Sequence, residues 1–204
     1  MTTSRKRILA SIVIFSLLLP GIPSFAGGKG LMDPMTKGSW FINFGFGPGT
    51  NWQGAYGGGF LPAVQAAFET GMWEVGPGVI TLGGEVGGTF FSFTGTDSRY
   101  GPATTYKYNY TELVFAVRGA YHYGWNVQGL DTYGGVAAGP RFTLFTYQIP
   151  ASYTGPVIGK PATVGYGGGA FVGASYFFNE LLGVNAEAGF NITYIQIGMV
   201  FRVK

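Results

Sequence analysis

The chain has no cysteine and a single histidine. Without cysteine there is no disulfide framework and no lipid-modified N-terminal thiol. One histidine and no thiol leave too few ligands for a zinc-type metal site, and no cofactor is expected. Charge is also scarce, at 10% of 204 residues. Three of the twelve Lys and Arg are Arg5, Lys6 and Arg7, and the nine that remain balance nine Asp and Glu. The basic excess therefore belongs to the extreme N-terminus, and no nucleic-acid partner is expected. After the N-terminal region no apolar run approaches the about 20 residues that a membrane-spanning helix needs.

The N-terminal run itself is short. Ile8 to Leu19 follows the basic cluster, Pro20-Gly21 breaks it, and Ser24-Phe25-Ala26 places small residues before a cleavage point. This is the pattern of a secretory signal removed after Ala26. The expected organisation is a signal peptide at 1–26, a short N-terminal periplasmic segment at 27–37, and one domain from 38 to 204.

What the domain does have is glycine, at 37 residues, and aromatics, at 17%. No Gly-X-Y period runs through it, which excludes collagen, and its aliphatic and aromatic content excludes disorder. Apolar residues recur at every second position. In Tyr194–Lys204, Ile195, Ile197, Met199, Phe201 and Val203 alternate with Gln196, Gly198, Val200, Arg202 and Lys204. Such alternation marks a strand with two unlike faces.

Eight alternating segments separated by turn residues are read at about 38–47, 60–72, 79–94, 108–123, 132–148, 163–178, 184–191 and 194–204. The connections after the first, third and fifth are long, and those after the second, fourth and sixth are short. A tight last hairpin is expected near Asn191–Tyr194 and belongs on the long-loop side. Long loops at one end and short turns at the other are the pattern of an outer-membrane barrel. The expected fold is an all-β, eight-stranded antiparallel up-and-down transmembrane β-barrel, closed by pairing the last strand with the first.

Charged residues within the strands decide which face points inward. Glu69, Glu85, Glu112, Arg118, Arg141, Glu187 and Arg202 lie opposite their strands' aliphatic residues. A base facing hydrocarbon at mid-membrane costs about 2–4 kcal/mol. A closed barrel avoids this by pairing four acids and three bases in a lumen polar network. Eight strands leave an interior that side chains fill. Gly83, Gly87, Gly139, Gly173 and Gly198 share the inward face and are read as room for long Arg and Glu side chains. Trp40, Tyr121, Tyr123, Tyr176 and Phe178 sit near strand ends on the apolar face, as membrane-interface aromatics do.

The segments KGSWFINFGFG, VGPGVITLGGEVG, VRGAYHYGWN, LDTYGGVAAG, GAFVGASYFFN and GVNAEAGFNITYIQIGMVFRVK resemble successive parts of the small porin-like outer-membrane β-barrel proteins common in Bacteroidetes. The Arg118–His122 run and the Ala186–Gly198 pattern are the most specific parts. The resemblance implies an eight-stranded barrel in a Gram-negative outer membrane, inserted by the barrel-assembly machinery, and no particular chemistry. Members of this family usually end on an aromatic residue. Here Phe201 is followed by Arg202-Val203-Lys204.

Enzymatic chemistry finds little support. His122, the sole histidine, falls beside a short turn on the polar face, without the partners that catalysis needs. The stretch Gly165–Gly173 is rich in glycine but lacks the Lys-Ser/Thr ending of a phosphate loop and lies within a strand. The expected function is a non-enzymatic barrel with a side-chain-plugged lumen, structural or partner-docking in the cell envelope. The alternative is a narrow or gated pore for small solutes or ions, followed by a lipid-modifying enzyme. Outer-membrane lipid, lipopolysaccharide and envelope proteins are the expected partners.

Overall fold

A computed structural model describes residues 35–49, 62–99, 103–148, 150 and 162–203. The expected signal, residues 27–34, most of the first and third long connections, and Lys204 lie outside them. The described residues form eight strands: β1 Trp40–Pro48, β2 Pro62–Val75, β3 Gly78–Asp97, β4 Thr104–Gly124, β5 Leu130–Gln148, β6 Ala162–Phe177, β7 Leu182–Gly189 and β8 Ile195–Val203. Each pairs antiparallel with its sequence neighbours, and β8 pairs back onto β1 with Trp40 opposite Val203 and Phe46 opposite Ile197. The sheet is a closed, up-and-down barrel.

Closure follows from the residues. Every neighbouring pair has a partner for its N–H and C=O groups, so the sheet has no long exposed edge in the region shared by all strands. At one end the turns are short. β2 and β3 join through Gly76-Pro77, and Gly76 takes φ 58°, the positive value that a two-residue hairpin needs at its first central position. The β6–β7 turn is held by Asn179, whose Oδ1 accepts from the amides of Leu181 (2.9 Å) and Leu182 (2.8 Å).

The strands are unequal in height. β1, β7 and β8 have 9, 8 and 9 residues, whereas β3, β4 and β5 have 20, 21 and 19. The barrel wall is therefore low on one side and tall on the other. This corrects the reading of Gly95–Lys107 as a loop: Thr94–Asp97 and Thr104–Lys107 pair rung for rung, and only 98–103 connect them. β5 likewise begins at Leu130, so Asp131 is a strand residue and not part of the preceding turn.

The glycine reading also changes. A Cβ at Gly83 would meet Phe68 O, one at Gly139 would meet Phe115 O, and one at Gly198 would meet Phe44 O, all in the neighbouring strand's backbone. These glycines let adjacent strands close tightly around a small barrel; they do not make space for Arg or Glu. Gly173 is different, because a Cβ there would strike the Tyr133 ring.

Candidate functional site

The two faces of the sheet divide sharply. Outward positions are apolar and exposed: Trp40, Phe44 and Phe46 on β1, Leu82, Val86 and Phe90 on β3, Phe115 and Val117 on β4, and Ile195, Ile197 and Met199 on β8. Inward positions hold polar side chains with almost no exposure, among them Glu69, Glu85, Arg118, His122, Asp131 and Glu187. This is the reverse of a water-soluble domain, where large apolar side chains are buried and ionised groups are exposed. Trp40, Trp73, Tyr121, Trp125, Tyr176 and Phe178 crowd the short-turn end of the outer wall, and Phe46, Phe90, Tyr166, Phe190 and Tyr194 the other. Tyr121 and Trp125 keep their polar atoms paired, donating to Val75 O (3.1 Å) and Thr132 Oγ1 (2.8 Å).

Arg118 is the centre of the inward network and is 0% exposed. β4 alternation turns it inward, in register with Gly83 on β3 and Ala137 on β5. Its Nε donates to Glu69 Oε1 at 2.5 Å, Nη1 to Glu85 Oε2 at 3.0 Å, and Nη2 to Glu187 Oε2 at 2.5 Å. The guanidinium also lies over the Phe171 ring, 3.6 Å from its centroid. One cation thus ties together strands on opposite sides of the barrel, with three carboxylates and a ring face around it.

Each carboxylate has further donors. Glu69 accepts from Thr81 Oγ1 (2.5 Å), and its Oε2 lies 3.0 Å from His122 Nε2. The other histidine nitrogen, Nδ1, lies 2.7 Å from Asp131 Oδ2. Glu187 accepts from Tyr133 Oη (3.0 Å) and Gln196 Nε2 (3.0 Å), while Tyr133 accepts from Asn185 Nδ2 (2.5 Å). Glu85 accepts from Gln65 Nε2 (3.3 Å) and from Asn191 Nδ2. The His122 ring stacks on Tyr133 at 4.9 Å.

Of the seven residues expected in one lumen network, four meet: Glu69, Glu85, Arg118 and Glu187. Arg202 lies nearer the short-turn end, where Asp131 attracts it electrostatically and connects it to the network through His122; its guanidinium is 4.4 Å from the Phe177 ring centroid and 5.7 Å from that of Phe41. There Met35, Phe41, Val79, Phe177 and Val200 form a buried apolar cluster inside the barrel. Glu112 and Arg141 form a separate, half-buried tier toward the long-loop end, where Arg141 attracts Glu112 electrostatically.

Sequence reasoning missed Asp131, Tyr133, Gln65, Asn185 and Gln196 as members of the main network. Strand parity carries the signal for the first two: Asp131 and Tyr133 are both an even number of residues from Arg141 on β5. The last hairpin was placed on the correct side, but its form was not foreseen. Asn191, Ile192 and Thr193 are buried, Thr193 bridges Gly49, and Tyr194 N donates to Pro48 O at 3.1 Å. Ile192 packs in a cluster with Ala63, Val114 and Phe171, between the Arg118 network and the Arg141 tier.

No family model matches the chain, and no curated protein matches it. Among solved structures, the attachment invasion locus protein Ail of Yersinia pestis is similar at 11% identity and a TM-score of 0.49, covering 82% of this chain and 100% of Ail. The outer membrane protein OprG from Pseudomonas aeruginosa is similar at 14% identity and a TM-score of 0.45, covering 83% of this chain and 98% of OprG. The barrel architecture itself is established by the strand pairing described above.

Proposed function

We propose that this chain is an integral outer-membrane β-barrel whose lumen is closed by its own side chains, with a structural or partner-docking role in the cell envelope. The observation that carries this reading is the combination of an apolar outer wall with a buried ionic network inside it. Ile80 to Phe90 on β3, Leu113 to Tyr123 on β4 and the nine residues of β1 supply the outer wall, and a tilted strand needs about 9–11 residues to cross a bilayer. The aromatic groups at both ends of this wall match the two interfaces. In this reading the short turns face the periplasm, the signal peptide directs export, and the barrel-assembly machinery inserts the chain. The outer wall contacts membrane lipid and lipopolysaccharide. Kinship with the small porin-like barrels of Bacteroidetes belongs to the same proposal.

Closure of the lumen follows from the depth of the filling. Arg118, Phe171, Tyr133 and the inward hairpin at Asn191–Thr193 occupy successive levels, with the Phe41–Phe177 cluster beyond them. A chain in this role acts through its wall and its extracellular surface, without catalysis. The test is reconstitution into planar bilayers, with a heat-modifiable gel shift as proof of folding. The expected result is a folded barrel with no steady conductance. Steady ion current through the wild type would replace this reading with the narrow pore, and recovery of the protein from the soluble periplasm would remove both.

A further inference from the structure

The chain ahead of β1 turns back into the barrel. Thr36 to Ser39 form a tight turn, closed by the Ser39 N–H donating to Thr36 O at 3.1 Å. Gly38, third in the turn, takes φ 83°, the positive value that a type II turn requires there. The Ser39 hydroxyl accepts from the Thr36 N–H at 3.0 Å and lies 2.9 Å from Met35 Sδ. The turn is fastened to β2: the Gly38 N–H donates to Gly71 O (2.8 Å) and the Gly71 N–H to Ser39 O (3.0 Å). A Cβ at Gly71 would meet Thr36 O, so glycine there lets the turn lie this close. Pairing of β1 with β8 begins at Trp40 and Val203, so among the described residues the turn is held from the β2 side alone. Thr36, Lys37 and Gly38 are exposed, whereas Met35 is buried at 3% exposure.

Met35 packs with the lumen-facing Phe41, Val79, Phe177 and Val200. Phe41 is second in β1, Val79 second in β3 and Phe177 last in β6, so this cluster lies at the short-turn mouth. Behind it stand the Arg202 guanidinium, 4.4 Å from the Phe177 centroid, and the His122 ring, 5.8 Å from that of Phe41. We propose that Met35 is a removable stopper for this mouth, set in place by the Thr36–Ser39 turn. The position of the chain ahead of β1 then governs the entry of water and small solutes to the lower lumen. The inference rests on the closed barrel proposed above. A thioether can leave an apolar cluster without stranding a charge, whereas Arg118 cannot leave its carboxylates without doing so. Methionine is unbranched and flexible, which suits a side chain that enters and leaves. The turn precedes β1, so its withdrawal breaks none of the strand pairs that close the barrel. Whatever holds the preceding chain away from the barrel draws Met35 out with it.

The experiment uses the mature protein in lipid nanodiscs. The chain has no cysteine, so Val200→Cys places a single thiol in the cluster, at a position with 0% exposure, and Val79→Cys supplies a second reporter. Reaction with a small cationic methanethiosulfonate reagent is followed by mass spectrometry on barrels that show the heat-modifiable shift. With Met35 in place, labelling should be slow. Met35→Gly should speed it about tenfold, since reaction of a buried thiol follows the population of the open form. Met35→Leu should stay within about twofold of its parent, because an apolar side chain of similar size refills the place. Gly38→Val leaves every cluster side chain intact, and a Cβ at Gly38 meets nothing within 4 Å. It forces a β-branched residue to positive φ, so it should dislodge the turn and speed labelling as well. Rapid labelling with Met35 present, or no gain at either reporter in Met35→Gly and Gly38→Val, overturns the stopper. Loss of the heat-modifiable shift in Met35→Gly would make Met35 a fixed part of the core and also overturn it. Each of these leaves the closed barrel standing, because conductance of the wild type is read separately. A protein that does not insert overturns both.

Discussion

Arg118 and Arg141 are both lumen-facing arginines on long strands, yet they occupy different physical worlds. Arg118 has no exposed surface, three carboxylates and a ring face around it. Arg141 is half-buried beside one half-buried acid, with the small inner faces of Gly165 and Gly167 next to it. An ion far from water must be matched by the protein itself, because the cost of leaving it unmatched is several kcal/mol. An ion that reaches solvent can be matched partly by water, so its pairing is worth little. The same residue type is a fully buried clasp at one height of the barrel and a half-buried partner of a single acid at another.

Removing the clasp is the strongest way to test this contrast. Arg118→Met leaves Glu69, Glu85 and Glu187 facing one another with no guanidinium between them. The expected loss is about 3–5 kcal/mol, read from urea titration of folding into lipid vesicles. The heat-modifiable band should also weaken or vanish. A loss under about 1 kcal/mol would mean that the three acids readily find other partners, and the clasp would lose its special place.

The next test acts on the layer that keeps the two worlds apart. Ile192→Ala removes most of a buried side chain packed against Ala63, Val114 and Phe171. Core truncations of this kind cost about 2–5 kcal/mol. Beyond stability, the variant thins the layer between the Glu112–Arg141 tier and the Arg118 network, so brief conductance events absent in the wild type are expected in planar bilayers. A variant of normal stability that stays silent would move the seal to Phe171 and Tyr133.

Tyr133→Phe probes the network at its margin. The hydroxyl donates to Glu187 and accepts from Asn185, and both partners are buried. Its removal should cost about 1–3 kcal/mol, since two buried polar groups each lose a partner. The ring stays, so stacking on His122 persists and the barrel keeps its gel shift. A loss as large as that of Arg118→Met would show the network to be one cooperative unit, which a double variant of Arg118 and Tyr133 would confirm by non-additivity.

The outer wall was legible in the sequence and the interior only in part, for a physical reason. The outward positions of β1 and β8 are apolar one after another, so these strands announce themselves by period alone. The lumen makes no such uniform demand. It accepts Arg118 and Glu187, but equally Phe41, Phe171, Phe177 and Val200, provided that space is filled and polar atoms are paired. Reading apolar as outward therefore hid the Phe41–Phe177 cluster. Beyond Phe90 and Leu113 the outer face loses this pattern. Thr104–Lys107 has no apolar outer face, so it read as loop although it pairs with Thr94–Asp97. The hairpin at Asn191–Thr193 was found by its turn residues, but only the fold brings Asn191 to Glu85 across 106 residues of chain.

The smallest expected effect completes the comparison. Arg141→Gln removes the charge from the upper tier while keeping a long polar side chain that Gly165 and Gly167 leave room for. Glu112 then loses its electrostatic partner but keeps the Thr143 hydroxyl and its access to solvent. Stability in the urea titration should change by no more than about 0.5 kcal/mol, as for a surface substitution. Raising the salt concentration should leave the wild type and the variant equally alike, because little pair energy exists to be screened. If Arg141→Gln instead destabilised the barrel as much as Arg118→Met, height would not separate the two arginines. The Glu112–Arg141 tier would then be a second structural clasp.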